Sequence, residues 1–133
     1  MASLTPTQRT IRELKKNGVV CGVVERWLSY ARRPGQVPGP RGVRQDFLGI
    51  IDIIALDPGQ GVIGIQACGS SFAAHWRKLT EENAQASAYW LETPGTILQV
   101  WAWRKVKKKR GGKAMVWKPR IEPVTLQDLM DRN

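Results

Sequence analysis

The first apolar rhythm along the chain is helical. Ile11 and Leu14 follow Thr5-Pro6, a pair suited to a helix start because threonine caps free N–H groups and proline fits the first turn. Asn17-Gly18 supplies the stop, leaving Gln8, Arg9, Arg12, Lys15 and Lys16 on the polar face. From Val19 to Leu28 the rhythm gives way to β-branched, mostly apolar residues, which predict a buried strand. Residues 32–44, rich in Gly, Pro and Arg, have no period and predict a mobile basic loop. Two Ile/Val-rich strands are predicted at Leu48–Leu56 and Val62–Cys68, around the turn Asp57-Pro58-Gly59-Gln60-Gly61. A helix is predicted from Phe72 to Leu91, capped by Ser70 or Ser71, with Phe72, Trp76 and Leu79 along one stripe. After Thr93-Pro94-Gly95 come a strand over Ile97–Val106, a basic hairpin tip and a return strand over Ala114–Lys118. Thr125 then caps a short terminal helix. Helix, three strands, helix and two strands describe an α/β chain with a central mixed sheet flanked by helices. Its 133 residues are expected to form a single domain.

Charge narrows the partners. Twenty-one Lys and Arg against eleven Asp and Glu give a net +10, which favours a polyanion and says little about fold. A basic amphipathic helix with a broad apolar face is lacking, so a membrane surface is disfavoured and nucleic acid leads. A hydrophobic fraction of 42% with six tryptophans argues against disorder. No apolar run reaches the roughly 18 residues of a membrane span. The opening residues lack the apolar core of a secretory signal, so a cytoplasmic location with reduced thiols is expected. Cys21, Cys68 and the single His75 are scattered, which makes a zinc site improbable.

The chemistry, if there is any, lies with acids at strand ends. Glu25 ends the first predicted strand, Asp46 precedes the second, Asp52 interrupts its apolar run, and Gln66 lies near the end of the third. A charge inside Gly49-Ile50-Ile51-Asp52-Ile53-Ile54 is costly unless it is paired or bound to a cation. Asp52 therefore has two readings, a salt bridge to one of many arginines or a cation site, and Gln66 one strand away tilts the balance toward a site.

Read together, Gly49–Leu56, a glycine-containing turn and Val62–Ser70 resemble the core of the PD-(D/E)xK nuclease superfamily, in which an Asp opens one strand of a hairpin and a (D/E)xK triplet closes the next. Archaeal-type Holliday junction resolvases and VRR-NUC nucleases have this arrangement. Glu25-Arg26-Trp27, Asp46-Phe47-Leu48-Gly49 and Gln66-Ala67-Cys68 look closer still to phage and bacterial nuclease-like proteins with Glu-Arg-Trp, Asp-Leu-Phe-Gly and Gln-Val-Thr at these places. The resemblance covers about Thr7 to Val106 and implies a restriction-endonuclease-like core. It implies a Mg²⁺-dependent endonuclease, with Mn²⁺ as a substitute, that hydrolyses phosphodiester bonds in branched DNA by in-line attack. A homodimer acting in a bacterial cell or phage-infected host is also implied, because a four-way junction presents two symmetric strands. Asp52 would be the principal metal ligand, with Gln66, the Ala67 carbonyl and Asp46 completing the shell and Glu25 or Asp46 restoring charge. Two departures stand out: Gln66 replaces the second acid, and Cys68 replaces the lysine that orients the attacking water. Lys78, on the helix that follows, could substitute for that lysine; the more ordinary reading is a solvated helix residue, and His75 and Arg77 are weaker substitutes. The acid that resolvases carry on the first helix has no clear match, since Gln8 and Arg9 lie near its place and Glu13 one turn beyond.

A DNA surface is expected on two elements. Arg104, Lys105, Lys107, Lys108, Lys109, Arg110 and Lys113 put seven charges into ten residues around Gly111-Gly112, and such a density of like charge calls for a polyanion. Arg32, Arg33, Arg41 and Arg44 form the second element. Trp101 and Trp103 share one side of a strand, where they either stack bases or, as we expect, pack in a core or dimer interface. No base-reading motif is present, so recognition of backbone and shape is anticipated. The competing function is a catalytically inactive nuclease-fold module that only binds DNA; an RNA-binding protein with structural acids is more remote.

Overall fold

A computed structural model describes residues 3–29 and 42–130. It has a five-stranded mixed sheet with helices on both faces, the architecture expected from the sequence. Helix α1 (Pro6–Lys16) begins with a reciprocal cap: the Thr5 hydroxyl accepts from the Gln8 N–H, and the Gln8 amide oxygen accepts from the Thr5 N–H. Strands β1 (Val20–Val23), β4 (Ile53–Asp57), β5 (Gly61–Cys68), β6 (Thr96–Lys107) and β7 (Met115–Val124) lie side by side in that order. Only the β5–β6 pair is parallel, because a helical crossover joins those strands. A separate antiparallel ribbon contains β2 (Arg26–Ser29) and β3 (Gly42–Gln45).

The sheet separates two cores. Ile63, Ile65 and Ala67 of β5 join Ile53, Ala55, Trp101 and Trp103 beneath Leu14 of α1. Cys68 joins Leu98, Val100, Ala102, Ile50, Ile51 and Leu79 on the opposite face. Each fully buried Ile or Leu contributes about 1.5–3 kcal/mol relative to exposure. Trp101 and Trp103 are therefore core residues, and the Trp103 indole N–H donates to buried Thr10 at 2.8 Å.

Five boundaries differ from expectation. The strand expected over Val19–Leu28 breaks at Val24-Glu25, sending its second half into the β2–β3 ribbon. Arg44, assigned to the loop, lies in β3 opposite Trp27, while Arg32, Arg33 and Arg41 fall outside the described residues. The strand expected from Leu48 starts only at Ile53. Leu48 and Gly49 adopt φ of 57° and 74°, and the Phe47 and Ile51 backbones bond each other across a tight turn. The helix expected over Phe72–Leu91 is α2 (Phe72–Arg77), a π-helical turn (Lys78–Glu82) and α3 (Ala84–Glu92). Ser71 stands at the start of α2 but makes no capping hydrogen bond. Finally, β7 runs to Val124 because Pro119 and Pro123 sit on an edge strand, where missing donors cost little. Helix α4 (Leu126–Met130) follows, capped by Thr125 as expected. Among the described residues no helix is long and apolar enough to cross a membrane.

Candidate metal centre

The acids converge where β4 begins and β5 ends. One carboxylate oxygen from each of Glu25, Asp46 and Asp52 lies within 4.8 Å of the others. Glu25 arrives from the break between β1 and β2, Asp46 from the end of β3, and Asp52 from the residue before β4. The backbone welds them together, since Asp52 N–H donates to Ile65 O and Asp52 O accepts from Val24 N–H. The break in the first strand, which the sequence conceals, is what brings Glu25 into the cluster.

Asp52 is 5% exposed and, among the described residues, forms no salt bridge. Its carboxylate accepts the Ala67 N–H at 3.2 and 3.3 Å. Burial is the main cause that raises its pKa, to about 8; the Asp46 and Glu25 charges push the same way, while the Ala67 N–H and Lys78 oppose them. The two neighbouring acids have cationic partners: Arg44 lies 3.3 Å from Glu25, and Lys78 lies 2.6 Å from Asp46. A donor set of three carboxylate oxygens suits a hard divalent ion. The cluster can thus hold a metal ion, and Asp52 is the member whose buried charge would gain most from one.

Gln66 joins this network through its whole amide. Its NH₂ donates to Asp46 and to the Ile50 carbonyl, both at 3.0 Å, and its oxygen accepts from Lys78 at 3.1 Å and His75 Nδ1 at 2.8 Å. The reverse orientation would set oxygen against oxygen at Asp46 and Ile50 and NH₂ against the Lys78 ammonium, so the partners determine which way the amide faces. Its oxygen therefore points to Lys78 and His75, and its NH₂ points to Asp46. The resemblance assigned that oxygen to the metal. For Ala67 it assigned the carbonyl, whereas the observed contact to the cluster is the N–H.

Lys78 does reach back. It is the first residue of the π-helical turn, and the Asn83 N–H donates to its carbonyl with an extra residue in the ring. Such turns often occur at functional sites. The turn is sealed elsewhere by the Ser87 hydroxyl donating to Leu79 O at 2.7 Å. His75 is held toward its neutral form, chiefly by burial and then by Lys78. Arg77 is exposed and pairs with Glu81. Cys68 is buried on the helical-crossover face, and burial followed by the Asp52 charge raises its thiol to about 11, so it remains protonated. Gln8 is committed to the cap of α1.

Two clefts flank the acids. One of about 370 Å³ is lined by Thr5, Gln8, Glu25, Arg26 and Arg44, and another of about 420 Å³ by Arg26, Gln45, Asp46 and Phe47. Arg26 borders both. The basic residues Arg104, Lys105, Lys107, Lys108, Lys109, Arg110 and Lys113 are all exposed, with the first three in β6 and the rest around the hairpin turn. Because β5 and β6 are parallel, with Gln66 opposite Val100, the hairpin projects past the acid end of the sheet. No protein family, curated protein or solved structure matches the chain.

Proposed function

We propose that the protein is a metal-dependent nuclease that hydrolyses phosphodiester bonds in DNA, with branched DNA as its substrate and Mg²⁺ or Mn²⁺ as its cofactor. The observation that carries this reading is the convergence of Glu25, Asp46 and Asp52 within 4.8 Å. The resemblance to the PD-(D/E)xK core supports it, as does the basic hairpin beyond the same end of the sheet. Asp52, Asp46 and Glu25 would hold the cation. When bound, a divalent ion polarises a phosphoryl oxygen and makes water a better nucleophile at neutral pH. Lys78 takes the role for which Cys68 is unsuited. Its ammonium can donate to the attacking water and face the negative charge that develops on phosphorus oxygens. Gln66 holds Lys78 and Asp46 together and is a positioning residue. Arg26 and Arg44, beside the clefts, meet the backbone on either side of the scissile bond. The homodimer suggested by junction symmetry belongs to the same proposal.

One observation favours the inactive DNA-binding module instead. The cluster can neutralise itself without a cation, through Lys78 on Asp46, Arg44 on Glu25 and a protonated Asp52. A labelled four-way junction incubated with Mg²⁺, with Mn²⁺ and with chelator separates the two. The nuclease reading expects metal-dependent cutting that Asp52→Asn abolishes. Tight, salt-sensitive binding without cutting in either metal would leave the binding module.

A further inference from the structure

The sheet face on the α1 side has an uncovered margin. Helix α1 covers Trp101 and Trp103 of β6, but the residues of β7 registered beside this stretch remain open. Trp117 and Ile121 are 39% and 42% exposed, and Met115 is exposed beside them. The Trp117 ring is held by cations: the Arg9 guanidinium is 3.9 Å from its centroid and the Lys105 ammonium 5.4 Å. Arg9 also donates to the Ser3 hydroxyl at 3.0 Å, which anchors the guanidinium.

We propose that Trp117, with Arg9 and Lys105, is a stacking subsite for an unpaired nucleobase of a strand whose backbone runs along the basic hairpin. The inference rests on the nucleic-acid reading above and adds a place where single-stranded character is sensed. The surroundings select the ligand. Pro119 and Pro123 lack N–H groups, so another strand cannot readily extend the sheet at this edge. A second copy would bring Arg9, Lys105 and Lys107 against the same charges. The ligand must instead be anionic and offer a flat apolar surface, and a nucleotide has both properties. Base stacking would leave Lys105 free to move from the ring to a phosphate. Trp117 lies opposite Lys105, five positions beyond Val100, which is the partner of Gln66. At about 3.3 Å per residue and 4.8 Å per strand it stands roughly 20 Å from Gln66, the length of about six stacked nucleotides.

The test uses the full chain in chelator, which separates binding from cutting. Affinities are measured at low salt for a short oligothymidylate, for a blunt duplex and for phosphatidylserine-containing vesicles. Trp117→Ala should weaken oligothymidylate binding about tenfold and leave duplex binding within about twofold, whereas Trp117→Phe should retain most of the affinity. A matching thermal melt for Trp117→Phe keeps the comparison independent of folding. Equal losses on both nucleic acids, or no loss on oligothymidylate, would overturn the subsite while leaving the nuclease reading standing. Loss confined to vesicles would make the patch a membrane contact and overturn it as well. Failure of the unsubstituted protein to bind either nucleic acid would remove the subsite and the function reading together.

Discussion

The Lys78 ammonium lies 2.6 Å from the Asp46 carboxylate, bridging two elements 32 residues apart in the chain. It reaches the acids from the first position of the π-helical turn at Lys78–Glu82. The same ammonium also donates to Gln66, and in the proposed nuclease it would face water and phosphate. Lys78→Met is expected to lower single-turnover cleavage by about 10²–10³-fold, the cost of removing one oriented charge donor. Binding of junction DNA in chelator should change little. Cleavage by Lys78→Met at the unsubstituted rate would show that the ammonium has only a structural role.

Asp52 makes stability depend on pH in a direction opposite to most acids. Its folded-state pKa of about 8 stands above the ordinary 3.8, chiefly because of burial. Between those values the folded chain holds a proton that the unfolded chain has released, so stability falls as pH rises through the window. In chelator, thermal midpoints should therefore decline from pH 5 toward pH 8. Divalent metal should flatten that slope, because it competes with the proton for the same oxygens. Asp52→Asn should raise the midpoint at pH 8 without metal while abolishing cutting. A midpoint that rises with pH in chelator after carboxylates elsewhere are accounted for would refute the assignment.

Gln66 is expected to be intolerant of its acidic counterpart. Gln66→Glu removes the donors to Asp46 and the Ile50 carbonyl and adds a charge beside Asp46. Loss of buried hydrogen-bond donors costs about 1–3 kcal/mol, so urea denaturation in chelator should reveal a clear destabilisation. Added Mn²⁺ should recover part of it if the new carboxylate turns to the cation.

Gly61 carries a separate structural requirement. Its φ is 135°, and a Cβ there would lie 2.1 Å from the Gly95 carbonyl oxygen, which accepts the Val62 N–H at 2.7 Å. That oxygen cannot retreat without breaking the start of the β5–β6 pairing. Gly61→Ala should cost about 3 kcal/mol or more, read by denaturant unfolding, with no selective effect on metal binding.

The hairpin charges should appear in salt dependence. Replacing Lys107, Lys108 and Lys109 with alanine removes up to three phosphate contacts, which should reduce the slope of log affinity against log salt by about 2–3 on duplex DNA. An unchanged slope would remove this hairpin from the DNA surface.

Much of this architecture is legible along the chain, for identifiable reasons. Ile63, Ile65 and Ala67 alternate with Gly64, Gln66 and Cys68 across a sheet covered on both faces, so the run reads directly as a central strand. The Thr5-Pro6 start of α1 depends only on neighbouring residues, and so does the Thr125 cap. Legibility ends where distant partners decide. The Val24-Glu25 break is invisible because Val20–Val23 and Arg26–Ser29 look equally extended yet pair with different strands. The Leu48-Gly49 turn looks like strand because leucine rarely adopts positive φ. Pro119 and Pro123 look like breakers until β7 is seen to be an edge. For the site, Asp52 was detectable from its apolar surroundings. The approach of Lys78 to Asp46, 32 residues away, and the Arg9–Trp117 pairing both depend on tertiary packing that no local pattern announces.

Mn²⁺ titration followed by electron paramagnetic resonance at pH 8 tests most directly whether Glu25, Asp46 and Asp52 hold one divalent cation. Saturable binding of a single Mn²⁺ per chain is expected, displaced by Mg²⁺ and lost in Asp52→Asn. No saturable site, or the same affinity after Asp52→Asn, would contradict it.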